Sequence, residues 1–234
     1  MTSSNTNQQD LIDQLAKHLI EVVPDEEFGG MEVRGGFEGV NALCPLIGQL
    51  NRVTSLDFVK ADIDDTGFAH LFKYREIRSF RFSCSRITQL GLSGARAWLH
   101  LKRLEINMLP ESGFLKHFAA LPGLEELAIG SCDLDETDLA SLAHCENVKV
   151  LSLQNCELDN LDLENLACFK NLQKLYLNNN PIRRGLRFAA ACKHLHFANL
   201  SSTCLDREGF RELSFLEELR ELCISQVHID AEAF

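Results

Sequence analysis

Apolar residues return along this chain with a beat of 23 or 24 residues, a period that belongs to no single helix or strand. Aligned on Leu172, the stretch NLQKLYLNNNPI puts apolar side chains at positions 1, 4, 6 and 11, with a small or amide residue at position 9. The same frame begins again at Val53, Ile77, Leu101, Leu124, Val148, Leu195 and Leu219. In chain order, successive starts lie 24, 24, 23, 24, 24, 23 and 24 residues apart. A weaker copy, FGGMEVRGGFE from Phe28, is a candidate ninth. Self-similarity at a fixed period of this length points to a stack of supersecondary units rather than one globular core.

The spacing within a unit fixes its geometry. Positions 4 and 6 are two residues apart, so in a short strand both side chains point to one face while positions 3, 5 and 7 point to the other. One such strand buries nothing alone; stacked strands form a parallel sheet with a continuous apolar interior. Position 9 turns the chain inward, and there Asn180 can satisfy backbone groups of the turn. Cys132, Cys156, Ser85 and Thr203 hold that position elsewhere. Behind the strand, Leu139, Leu142 and Ala143, then Leu163, Leu166 and Ala167, follow the spacing of a helix face.

These units resemble the leucine-rich repeat family, whose signature is L-x-x-L-x-L-x-x-N/C-x-L with a period in the twenties. Segments such as IDDTGFAHL and LDREGFREL are similar to the short repeats of bacterial effector-type and ribonuclease-inhibitor-like proteins. The resemblance implies an α/β fold: a right-handed solenoid with a curved parallel sheet on the concave face and short helices on the convex face.

We expect a disordered polar tail over 1–9, a capping helix over 10–27 and repeats over 28–234. Leu11, Leu15, Leu19 and Val22 would form the helix stripe that covers the first core layer. Two irregularities stand out. Pro110 and Glu111 occupy positions 10 and 11 of the Leu101 unit, where a turn residue and a core residue belong, which predicts a bulge or altered turn. Phe234 falls at position 16 of the last unit, so the chain stops within a repeat; we expect a fragment, or an end covered by another chain, with self-association there as one route.

The formal net charge of -11 argues against a nucleic-acid partner. No apolar run approaches the roughly 20 residues that cross a bilayer, and the first residues do not form a secretory signal. Nine scattered cysteines without a CxxC pair fit buried reduced thiols, hence a reducing compartment such as the cytoplasm. His194 and His196 share a strand face but lack a third ligand at a fixed offset, so no metal is expected. Neither a phosphate loop nor a catalytic triad can be singled out, and we expect no cofactor and no enzyme activity within these residues.

Side chains at positions 3, 5 and 7 are not explained by the core. Tyr176 and Phe197 fall on adjacent strands, flanked by Lys174, Asn178 and Asn199: aromatics with adaptable polar neighbours, as in interface hot spots. Arg81, Arg103 and Glu105 form a second, charged patch suited to steering a partner. The expected function is recognition of a protein partner through the concave sheet; the alternative is the substrate-targeting part of a larger enzyme or effector, for instance a ubiquitin-ligase recruiter.

Overall fold

Leu56 with Phe58, Phe80 with Phe82, and Leu104 with Ile106 each place two apolar side chains on one face of a strand, and all six are buried. The computed structural model describes residues 2–36, 39–83, 86–109, 111–119, 121–160 and 162–227. They divide into two compact units, Met1–Pro110 and Glu111–Phe234.

In the first unit, β1 (Glu21–Pro24) pairs antiparallel with β2 (Met31–Arg34), and β2 runs parallel to β3 (Val53–Phe58). Then β4 (Ser79–Ser83) and β5 (Arg103–Asn107) follow in parallel. In the second unit β6 (Glu126–Gly130), β7 (Val150–Gln154), β8 (Lys174–Tyr176), β9 (Phe197–Asn199) and β10 (Glu221–Cys223) are parallel neighbours in chain order. The pairing keeps the repeat frame: Leu56 lies beside Phe80 and Phe80 beside Leu104, all at position 4.

Acidic and hydroxyl residues start the return helices by accepting otherwise orphaned N–H groups. After α2 (Val40–Ile47), which has no side-chain cap, Asp64 caps α3 (Asp65–Ala69), Thr88 caps α4 (Gln89–Leu92), Asp135 caps α5 (Glu136–Leu142) and Asp206 caps α6 (Arg207–Glu212). Elsewhere the return is a tighter 3-10 turn, as at Asp162–Cys168 and Leu186–Ala191. These segments cover the back of the sheet. In the first unit Phe68 of α3 stacks on Phe80 at 5.3 Å and meets Trp98 edge-on at 5.8 Å, while Phe80 stacks on Phe82 at 4.6 Å.

Position 8 was silent in the sequence and proves decisive in the fold. Lys60, Met108, Ser131, Asn155, Asn179, Ser202 and Gln226 all adopt a φ between 52° and 62°. Each is the left-handed residue that turns its strand toward the core; Cys84, the remaining member, lies outside the described residues. Position 9 then goes inside. Asn180, 2% exposed, accepts from the amides of Cys156 at 3.0 Å and Leu158 at 3.1 Å. Its Nδ2 donates to the carbonyls of Leu153 at 2.7 Å and Leu177 at 2.9 Å, joining two successive coils. Cys132, Cys156 and Thr203 are also buried, whereas Ser85 lies outside the described residues.

Two expectations are corrected. The first helix, α1, spans Thr2–Ala16, so residues 2–9 form its opening turns rather than a disordered tail. Gln8 ties it down, donating to the Gln49 carbonyl at 3.2 Å and accepting from the Asn51 amide at 2.8 Å. The helix also ends early. Leu19 adopts φ 59°, and the amides of Ile20 and Leu19 bond back to the carbonyls of Leu15 and Ala16, a left-handed C-terminal cap. Leu11, Leu15 and Ile20 are buried, but Leu19 is 75% exposed and Val22 belongs to β1. Second, the early unit is not framed from Phe28: Val33 pairs with Leu56, and a register shift separates Met31 from Glu32. The Leu101 unit keeps a regular strand through Asn107, a left-handed turn at Met108 and a buried Leu109; the altered turn is expected just after these residues. Pro110 and Phe234 lie outside the described residues.

Asp25 holds the β1–β2 hairpin against the first full repeat. It accepts from Thr54 Oγ1 at 2.7 Å, Ser55 Oγ at 2.6 Å and the amides of Phe28 at 3.0 Å and Glu27 at 3.2 Å. Burial acts to raise its pKa, but these bonds together outweigh it and hold the carboxyl below the usual 3.8. A carboxyl lowered on folding adds stability above its unfolded pKa and loses it as pH falls through the folded value. Asp25→Asn is therefore expected to lose about 1–3 kcal/mol at pH 7. In urea titrations the gap to the parent narrows once the pH drops below 3.8. Asn180→Ala orphans two buried amides and two carbonyls, and equilibrium unfolding should show a loss of about 3 kcal/mol.

Candidate functional site

With positions 4, 6 and 9 committed to the interior, each strand presents positions 3, 5 and 7 on the opposite face. In the second unit the middle of that face is aromatic. Tyr176 on β8 and Phe197 on β9 are half-buried, with ring centroids 4.9 Å apart and planes tilted by 41°. Lys174 pairs in register with Phe197 and Tyr176 with Asn199, so four of the five expected residues adjoin directly. Asn178, the fifth, donates to Gln154 Oε1 at 3.1 Å, and Gln154 donates to Ser152 Oγ at 2.7 Å. Asn199 Oδ1 accepts from the Ser201 amide at 3.0 Å. The Oδ1 of Asn178 is shielded from solvent and accepts from no partner among the described residues. Amide and hydroxyl groups thus border the ring pair on one side, and small residues, Ala128 and Gly130, continue the face across β6.

In the first unit the same positions are charged. Arg81 lies between two carboxylates, 3.3 Å from Asp57 and 3.3 Å from Glu105. Arg103 pairs with Glu27 and sits 5.8 Å over the Phe28 ring. Asn107 donates to Glu105 at 3.2 Å. Burial raises the pKa of Asp57 and the carboxylates of Glu32 and Glu105 add to it, more than the pull of Arg81 takes away. The expected charged residues do come together, but paired among themselves. Pairs this exposed contribute about 0–1 kcal/mol and leave little net field for steering. Glu27 had no place in the sequence frame and Phe28 only as the start of a weak copy; the hairpin fold brings them here.

Burial pushes the thiol of Cys145 up to about 12 and those of Cys156, Cys168 and Cys192 to about 11, which disfavours the nucleophilic thiolate. Besides Asp25, two buried carboxylates are used as backbone anchors. Asp138, whose pKa burial raises, accepts from the amides of Gly113 at 2.5 Å and Leu115 at 2.7 Å. Glu212 accepts from the amides of Gly185 and Leu186 and from Arg187 Nε at 2.9 Å. His196 Nδ1 lies 3.2 Å from the His194 carbonyl. Among the described residues no three His, Cys, Asp or Glu side chains form a metal-binding group, and no helix is long and apolar enough to cross a membrane.

Comparison with known proteins agrees with the frame. A family model described as leucine rich repeat matches residues 122–182. Among solved structures, internalin C2 from Listeria monocytogenes str. 4b F2365 superposes with a TM-score of 0.63 at 18% identity, over 83% of this chain and 80% of that one. The internalin InlF from the same strain gives 0.57 at 12% identity, over 86% and 75%. The TLR13–ssRNA13 complex gives 0.57 at 20% identity, over 83% of this chain but only 31% of that one. No curated protein matches the sequence.

Proposed function

We propose that this chain, whose units follow the leucine-rich-repeat frame, is a non-catalytic scaffold that recognises a protein partner through the outward face of its sheet. The observation that carries this reading is the Tyr176–Phe197 pair, 4.9 Å apart on the face opposite the core. Two large rings left half in water on a sheet do nothing for the interior. Surrounded by Lys174, Asn178, Asn199 and Gln154, they have the composition of an interface centre: rigid apolar area bordered by groups that adapt their hydrogen bonds. The buried carboxylates Asp138 and Glu212 hold backbone amides, and the buried thiols stay protonated, which fits a scaffold better than a catalyst.

Charge favours a protein over a polyanion on this face. One structural neighbour, TLR13, is in complex with a single-stranded RNA. Here the strand-face charges of the second unit are Glu126, Lys174 and Glu221, and the arginines of the first unit's face are matched by carboxylates. Such a surface releases few counterions on binding a phosphate backbone.

A photo-crosslinking residue at Lys174 should capture a discrete protein partner in the native cell, and the same residue at Glu164 on the return side should not. Tyr176→Ala with Phe197→Ala should then weaken binding of that partner at least about 30-fold, the loss of a hot spot of 2 kcal/mol or more. Unchanged affinity, with the double variant folded by circular dichroism, contradicts the reading.

A further inference from the structure

Charge is unevenly spread along this acidic chain. Residues 52–103 hold ten of the 23 Lys and Arg residues but only five of the 34 Asp and Glu residues. Several of those cations are neutralised on the spot: Arg81 by Asp57 and Glu105, Arg86 by Asp62 and Asp64, Arg103 by Glu27. Three others, with no carboxylate in ion-pair range among the described residues, converge. Arg52, Lys73 and Arg75 line one hollow of about 330 Å³ at the edge where the chain enters β3, together with Leu50, Val53 and Tyr74. Its one carboxylate, Glu76, is engaged at 3.8 Å by Arg78.

The hollow is held from below. The Tyr74 hydroxyl is buried and donates to the Ile47 carbonyl, with the Leu50 carbonyl at 3.3 Å, so the ring is a fixed wall. Lys73 Nζ lies 5.0 Å over that ring, which keeps the ammonium on the rim. Arg52 donates to the Gly29 carbonyl at 3.0 Å, fixing one end of its guanidinium while its other N–H groups stay available. Its backbone has φ 54°, a left-handed conformation outside the repeat's own turn position, where glycine or asparagine would carry less strain. Three cations drawn together beside one carboxylate that is already engaged repel one another, and packing gives no reason for them.

We propose that this hollow binds a phosphate group, presented by a phosphorylated side chain of a polypeptide. Two guanidinium forks and an ammonium match the oxygens of a phosphomonoester, which carries close to two negative charges at pH 7. The apolar wall of Leu50, Val53 and Tyr74 accommodates the carbons that bear it. The size favours one phosphate on a short stem over a long polyanion. This site belongs to the first unit and the aromatic pair to the second, and it does not depend on the function proposed for that pair.

The test is a titration of the whole chain with O-phosphoserine, followed by backbone amide NMR. Saturable shifts centred on residues 50–53 and 73–76 are expected, absent with serine or with equimolar sodium sulfate, and weakening as salt rises. Arg52→Ala with Arg75→Ala, both on exposed side chains, should cut the affinity at least about tenfold and leave the melting temperature nearly unchanged. Shifts spread over all surface cations, equal shifts with sulfate, or an unchanged affinity in the double variant would overturn the proposal. So would tighter engagement of phosphatidic-acid vesicles or an oligouridylate than of a phosphoserine peptide.

Discussion

The structure rests on one backbone constraint: a strand of about five residues must reverse into its own core, and it does so through a single left-handed residue at position 8. Non-glycine residues resist that conformation by about 1–2 kcal/mol. Every described member of the series nevertheless adopts it, whether lysine, methionine, serine, asparagine or glutamine. Cooperation between coils offsets the strain. The amide of Asn155 bonds to the Asn178 carbonyl, that of Asn179 to the Ser201 carbonyl, and that of Ser202 to the Ser225 carbonyl. These turns are thus held by the next coil, and the residue after each goes inside. Once position 8 is fixed, so are the inward identity of positions 4, 6 and 9 and the outward identity of 3, 5 and 7.

That dependence explains what the sequence discloses. Apolar positions are legible because a leucine in the core leaves the same mark in each unit, and Asn180 is legible because a buried amide has few alternative uses. Position 8 carries no consensus, since its requirement is on φ and its side chain points to water; Lys60 and Met108 satisfy it as well as Asn179 does. The α1 boundary escapes the pattern for a related reason. Leu19 continues an i, i+4 stripe on paper, but hydrogen bonds from Leu19 and Ile20 back to Ala16 and Leu15 close the helix, and the β-branched run after it pairs as a strand. The Phe28 frame failed because glycines and a register shift erase the apolar signal that set it.

For the surface, alternation told which residues face outward but not how they pair. Tyr176 beside Phe197 follows from register alone. Arg81 between Asp57 and Glu105 is also a register effect, yet the reach of Glu27 to Arg103 comes from a hairpin turn that no spacing rule describes. The outcome is a division of labour between the two units: a self-neutralised ionic face with a cationic hollow at its edge in the first, and an aromatic centre with few charges in the second. Carboxylates that look catalytic in a composition count are spent on capping amides in neighbouring coils.

The most direct test of this account replaces position 8 by glycine, one repeat at a time. Lys60→Gly and Met108→Gly, read by differential scanning calorimetry, are each expected to stabilise by about 0.5–1 kcal/mol and raise the melting temperature by about 1–4 °C. Glycine at Gln154, a strand position with ordinary φ, should lower it. Destabilisation at both position 8 sites would contradict a left-handed turn in every coil, and with it the assignment of which side chains face outward.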